Sequence, residues 1–490
     1  MISTTDPTRA LRQSLYLVLG AMALAIATAK IVGAENVYEP SRYKPASTQY
    51  DANRADTPAR VWPEKRPEPT LMFGSNDRSR WATVRAIVEN GTYVIGKRAN
   101  LTATAPPYGD SGIIFEESYT SIDKVMNPDT GEFYSSKPPL FATLLAGEYW
   151  LLHKLFGLSI DRDRWLVVGI ILITINVLPF ALYLFLLAKL IEQYGRSDFG
   201  KLITFAVASF ATFAITFAPT LNNHTPAIFC TLFAIYPLLR SESPTKRDLF
   251  LSGLFAGLTA TFELPAAAFA GGLGLLLLLS RFRQTLTCYL PGLAIPVVAL
   301  LACNVISMGK ITPAYGEFGG PWYNYGGSNW LKLKEPVRPR GIDFNSESTP
   351  VYAMHLLVGH HGWFSLTPVW LVAACGLIGQ ARRLRESLLG KLAAVTIAVS
   401  VIVFTFYLTR FQSYNYGGNT SVARWLIWLS PLWLLGLLHG VDRIADSRRW
   451  RFATVILLAF SVLSVFYPAW NPWRNPWILQ LCEQLGWVRY

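Results

Sequence analysis

Six positions in this chain carry side chains able to hold a phosphate, move a proton or bind a metal: Asp77, Lys137, His224, Glu263, His360 and Arg424. Arg424 presents a planar guanidinium fork that can clasp two phosphate oxygens; as the first residue of an apolar run it can equally be a snorkelling anchor. His224, after Asn222-Asn223 and before Thr225-Pro226, can donate to phosphate, ligate a metal or simply sit in a solvated turn. Glu263, in Phe262-Glu263-Leu264-Pro265, either supplies a carboxylate or caps a hairpin tip. Lys137 in Ser136-Lys137-Pro138-Pro139-Leu140 follows an extended entry forced by the paired prolines, which is also the setting of an interfacial lysine. Asp77 falls at the expected start of a helix near Ser75 to Arg78 that Gly91 stops, a position where an Asp can be no more than a cap. His360 and His361 are adjacent; on a helix they cannot easily face one ligand, so one of them lines a cavity rather than both holding a metal. Asn223, and Tyr416 in the run Tyr414-Asn415-Tyr416-Gly417-Gly418-Asn419, are further candidates for substrate contact.

The elements that must position these side chains are membrane helices. The 490 residues are 52% hydrophobic and 15% charged, where a soluble domain carries about a quarter charged. The apolar residues gather in runs such as Leu15 to Val32, Trp165 to Leu187 and Leu286 to Ile306, each near the ~20 residues that cross a bilayer as a helix. The expected spans are 15–33, 165–187, 199–221, 224–240, 249–262, 265–280, 285–306, 361–379, 390–409, 424–440 and 451–468. This is an all-α polytopic protein with about 11 transmembrane helices and a large external first loop carrying juxtamembrane helices. Its segments are an N-terminus and first span (1–33), the external loop (34–164), a membrane core (165–306), a second external loop (307–360), C-terminal spans (361–468) and an external tail (469–490).

The net charge of +13 reflects Lys and Arg in cytoplasmic links, such as Arg382-Arg383-Leu384-Arg385, rather than a nucleic-acid surface. Those links place the N-terminus in the cytoplasm, and parity then puts every candidate residue above on the external side. Parity also makes Leu140 to Leu158 an amphipathic surface or re-entrant helix. Residues 35–70, rich in Pro, Arg, Ser and Thr, read as an extended or disordered leader. Tyr315, Trp322, Tyr323, Tyr325 and Trp330 read mostly as an interfacial aromatic belt. The four cysteines within spans, Cys230, Cys288, Cys303 and Cys375, read as packing residues, and no disulfide framework is implied.

Asp77-x-x-Arg80-Trp81-Ala82 followed by Glu89-x-Gly91, and then Lys137-Pro138-Pro139-Leu140, resembles the first-loop signature of the GT-C glycosyltransferases. The resemblance is to the aminoarabinose transferase and protein O-mannosyltransferase branch and is clearest over residues 71–240. It implies a helical membrane core that moves a sugar from a polyprenyl-phosphate donor to a lipid, glycan or protein acceptor on the non-cytosolic face. The setting it implies is the bacterial inner membrane. Asp77 would be the catalytic base, with Lys137, His224 and Arg424 on the donor phosphate. Two departures stand out: Arg78 replaces the family's Glu, and Ser136 replaces the acidic residue often found before Lys-Pro-Pro-Leu. No cofactor is named by the sequence; a divalent cation is compatible with the carboxylates, but Ser136 removes one expected ligand. A transporter or flippase of a lipid-linked or anionic substrate, and a catalytically inactive relative, are the alternatives. The topology makes a direct prediction: a single cysteine at Gly109, in a background freed of native cysteines, will react with impermeant reagent from outside only. Modification solely from the cytosol would invert the assignment.

Overall fold

A computed structural model describes residues 7–34, 71–103, 105–336, 341–410 and 414–490. The expected leader at 35–70 therefore lies outside the described residues. Seven helices are long and apolar enough to cross a membrane, with two shorter apolar helices beside them. The long ones begin with α1 (Pro7–Val32).

The first long loop then opens with α2 (Ser75–Asn90), close to the predicted helix, and Gly91 ends it in the left-handed region at φ 66°. Four short strands follow: β1 (Gly96–Arg98), β2 (Asp110–Ser111), β3 (Lys124–Met126) and β4 (Glu132–Ser135). They form an antiparallel sheet in the order β2-β1-β4-β3, with Lys124 opposite Ser135 and Lys97 opposite both Glu132 and Ser111. This corrects the all-α expectation for the loop. Strands of two to four residues are too short to show a period-2 pattern, so pairing rather than local sequence defines them. Pro139 at its first turn starts α3 (Pro139–Phe156), which is not among the seven long apolar helices and packs on α2.

A single span, Arg164–Tyr194, consists of α4 (Arg164–Leu172) and α5 (Leu178–Tyr194) joined through a wide turn at Ile173–Val177. The core continues with α6 (Asp198–Phe210), α7 (Ala214–Phe217), α8 (His224–Leu239) and α9 (Lys246–Phe262). Thr245 and Asp248 cap α9 reciprocally. Next come α10 (Ala267–Gln284) and α11 (Leu290–Met308). They form one apolar stretch, but Arg281 leaves the helical region (φ −146°, ψ 49°) and the Tyr289 hydroxyl donates to the Ala270 carbonyl at 2.6 Å. That bond spans nineteen residues, which only a reversal of the chain can bring together, so the stretch is a hairpin of two helices.

The second external loop leads into α12 (Thr349–Leu357), α13 (Trp363–Leu366), α14 (Trp370–Ala381) and α15 (Leu388–Leu408). Its aromatic residues do not form the expected belt. Tyr325 packs edge-on against Phe133 at 5.4 Å, Trp322 packs on Tyr134, and Trp330 donates to the Ile122 carbonyl at 3.1 Å. The loop is thereby fastened to the first-loop sheet. The chain closes with α16 (Ser430–Ile444), α17 (Arg448–Phe466) and α18 (Trp477–Gln484).

Within the helical core two helix pairs meet backbone to backbone through glycine. A Cβ on Gly253 of α9 would stand 2.0 Å from the Tyr289 carbonyl oxygen, and one on Gly376 of α14 would stand 1.9 Å from that of Gly436. Without a hydrophobic driving force between helices in lipid, such close approach is what holds them together. Alanine at Gly253 or Gly376 is expected to force the helices apart at a cost of about 1–3 kcal/mol, read as a lowered unfolding temperature in detergent. Wild-type stability in both variants would refute this packing.

Candidate active site

Four segments distant in sequence bring their polar ends together. Arg80, on the buried face of α2, donates from Nη2 to Oδ1 of Asn223 at 2.5 Å. Asn223, just before α8, donates from Nδ2 to Oε1 of Glu263 and to the Phe262 carbonyl, both at 2.7 Å. Glu263 accepts in turn from Nδ1 of His224. Nε2 of His224 lies 2.8 Å from Nη1 of Arg424. A guanidinium can only donate, so His224 Nε2 accepts and Nδ1 carries the proton given to Glu263. The imidazole is thus a neutral spacer with its tautomer set from both sides.

Local structure explains each placement. The α9 helix ends at Glu263, which turns to extended backbone (φ −129°, ψ 101°) ahead of Leu264-Pro265. The expected hairpin is present, but Glu263 is buried at 5% exposure and aims inward rather than capping an external tip. Arg424 opens a 3₁₀ turn (Arg424–Leu429) before α16; its Nε donates to the Gly417 carbonyl at 3.0 Å and its fork lies over Trp473. It is not a snorkelling anchor, since it is buried within the protein.

Lys137 stands beside this chain and pairs through Nζ with Oδ1 of Asp123 at 2.7 Å. Lys137, Arg80 and Arg424 are close enough to repel one another. Burial pushes Arg80 down to about 10, with Arg424 adding to the shift, and burial likewise lowers Lys137 against the pull of Asp123. Arg80, Lys137, Tyr93, Tyr134, Pro138 and Met308 line one cleft, cationic at one end and aromatic and apolar along its walls.

Asp123 was not singled out by its sequence context. The β3–β4 pairing sets it against the Lys-Pro-Pro-Leu segment: the Ser136 N–H donates to the Asp123 carbonyl at 3.1 Å, and the carboxylate meets Lys137. It thus stands across the strand pair from Ser136, where an acidic residue was missed. Asp343 of the second external loop is a further addition. It accepts from Asn415 at 3.2 Å, and burial, with Asp123 nearby, raises its carboxyl.

Asp77 is fully buried, third in α2, and its oxygens accept from the N–H groups of Phe73, Gly74 and Arg78 at 2.9, 2.6 and 3.2 Å. It closes the helix start, as the simpler reading held, and it lies near enough to Arg80 to feel its charge. Burial pushes it up to about 7, opposed by Arg78 and the backbone N–H groups.

The remaining candidates lie elsewhere. His360 and His361 occupy a turn between α12 and α13, not a helix, and their Nδ1 atoms meet at 2.6 Å. The Tyr416 hydroxyl donates to Glu347 in the same separate cluster, while its neighbour Gly417 holds Arg424. His224 has no lone pair left for a metal, and Asp123 is spent on Lys137. Among the described residues, the group of three metal-ligating side chains is Glu347, His355 and His360.

No family model matches the sequence, and no curated protein does. Among solved structures, the fold is similar to the apo oligosaccharyltransferase of Archaeoglobus fulgidus, with 12% identity and a TM-score of 0.44. The alignment covers 96% of this chain, which spans 57% of the archaeal one. At that similarity the oligosaccharyltransferase assigns no activity to this chain.

The Asp77 carboxyl yields a pH prediction. Its affinity rises from 3.8 to about 7 on folding, so the folded state holds an extra proton between those values, and stability falls as pH climbs through that window. Asp77→Asn cannot titrate. Its unfolding temperature relative to wild type should therefore rise from about pH 4 to pH 7; a pH-independent difference would show that Asp77 ionises normally.

Proposed function

We propose that this chain is a membrane glycosyltransferase of the GT-C type that uses a polyprenyl-phosphate-linked sugar on the external face. The observation that carries the reading is the convergence of Arg80, Lys137 and Arg424, the first two of which line a cleft together with Tyr93, Tyr134 and Met308. Three neighbouring cations suit a phosphate, and the apolar and aromatic residues of the cleft suit the lipid that bears it.

In the proposed reaction the acceptor hydroxyl attacks the anomeric carbon and its proton passes to a carboxylate. The bond from the anomeric carbon to the phosphate oxygen breaks, and the polyprenyl phosphate leaves with the electron pair. Arg80, Lys137 and Arg424 stabilise the charge that grows on the phosphate. The Glu263–His224 unit holds Arg424 in place through a neutral imidazole, leaving the guanidinium charge for the substrate.

The base comes from the first loop. Asp77 is the residue that the sequence resemblance indicates, and an affinity near 7 suits proton transfer at neutral pH. It must first release some of its helix-capping bonds. Asp123 is the second reading, favoured by its place beside Lys137 in the site.

Reconstitution with labelled polyprenyl-phosphate sugars tests the assignment. Lys137→Met should lower donor turnover by at least ~100-fold, because a cationic transition-state contact is worth about 3 kcal/mol. With Asp77 as base, kcat/KM rises through about pH 7 and Asp77→Asn abolishes the rise. If only Asp123→Asn is inactive, the role passes to Asp123. Lipid translocation without covalent transfer would replace the transferase reading with a flippase.

A further inference from the structure

A second polar constellation lies apart from the phosphate cations. Glu347 precedes α12, His355 lies on it and His360 follows in the turn; one ligand atom from each falls within 4.8 Å of the others. The two histidines are buried, and their rings stack at 3.9 Å. Nδ1 of His355 is buried with no hydrogen-bond partner. Among the described residues no lysine or arginine forms an ion pair with Glu347.

The surrounding hydrogen bonds are one proton short. Tyr416 touches Glu347, Tyr490 touches both Glu347 and His360, His360 touches His361, and His361 touches the Thr420 carbonyl. These five contacts each need a proton. Two phenols and two neutral imidazoles bring four, since each carries one. With Glu347 ionised, one contact must set lone pair against lone pair, which is costly when buried. One added positive charge at this point, a proton or a metal ion, removes the conflict.

We propose that Glu347, His355 and His360 bind one zinc ion. Two imidazoles and a carboxylate are a zinc-type donor set, and a metal on His360 Nε2 leaves Nδ1–H to donate to His361, whose Nε2–H then donates to Thr420. Tyr416 keeps its bond to Glu347, so every remaining contact has its proton. Ligands about 2.1 Å from a tetrahedral zinc lie roughly 3.4 Å apart, so the group, now within 4.8 Å, closes by up to about 1.4 Å. The Tyr490 hydroxyl, between two of the ligands, is placed to complete the set or to orient a water.

The ion would brace the segment that carries Arg424. Tyr416 stacks on His361 at 5.0 Å and takes a strained positive φ of 55°, and the next residue, Gly417, accepts from Arg424. The site is thus structural, and its metal content can be read without any assay of transfer.

The protein, purified in detergent without a histidine tag, should contain about one zinc per chain. Glu347→Gln and His360→Ala should each lose it. Chelated wild type refilled with Co²⁺ should develop a visible d–d band and regain its unfolding temperature. Gly359→Ala supplies a variant that keeps all ligands: the added Cβ would lie 2.4 Å from His355 Nδ1 and displace that ring, so metal affinity should fall. Wild type that is metal-free and takes up neither Zn²⁺ nor Co²⁺ overturns the proposal. So does zinc retained by both ligand variants.

Discussion

The hydrogen-bonded chain Arg80–Asn223–Glu263–His224–Arg424 is the interaction on which the site depends. Burying two guanidiniums within reach of each other is costly unless an anion lies between them. Glu263 is that anion, and it reaches one arginine through an amide and the other through an imidazole. The spacers keep the cations apart while sharing one carboxylate between them, so both arginines remain available to a second anion.

The members come from α2, the start of α8, the end of α9 and the turn before α16, so the arrangement survives only if these segments hold one level. Glycine contacts between α9 and the α11 region, and between α14 and α16, lock the membrane helices at backbone distance. In the first loop the four-stranded sheet performs the same task. It sets Asp123 against Lys137 and receives Tyr325 and Trp322 from the second external loop. That docking also brings Asp343 toward Asp123 and Arg424. The aromatic residues therefore act as fasteners between two loops, which their composition alone could not distinguish from a lipid-facing belt.

The sequence by itself determined the membrane class, the long apolar helices and the α2 boundaries, because bilayer thickness and helix caps act on neighbouring residues. It also marked Lys137, Asn223, His224, Glu263 and Arg424, since polar residues at the ends of apolar runs stand out against their surroundings. What it could not determine was contact across the chain. Asp123 gains its place only when β3 pairs with β4, Asp77 shows its capping bonds only in the folded turn, and His360 and Tyr416, candidates for substrate or metal contact, join a cluster of their own. Glu263 reads as a hairpin tip until α8 covers it. Apart from the Asp77 capping bonds, which are local, the deciding interactions join residues separated by tens to hundreds of positions, and such pairing is set by packing rather than by local sequence.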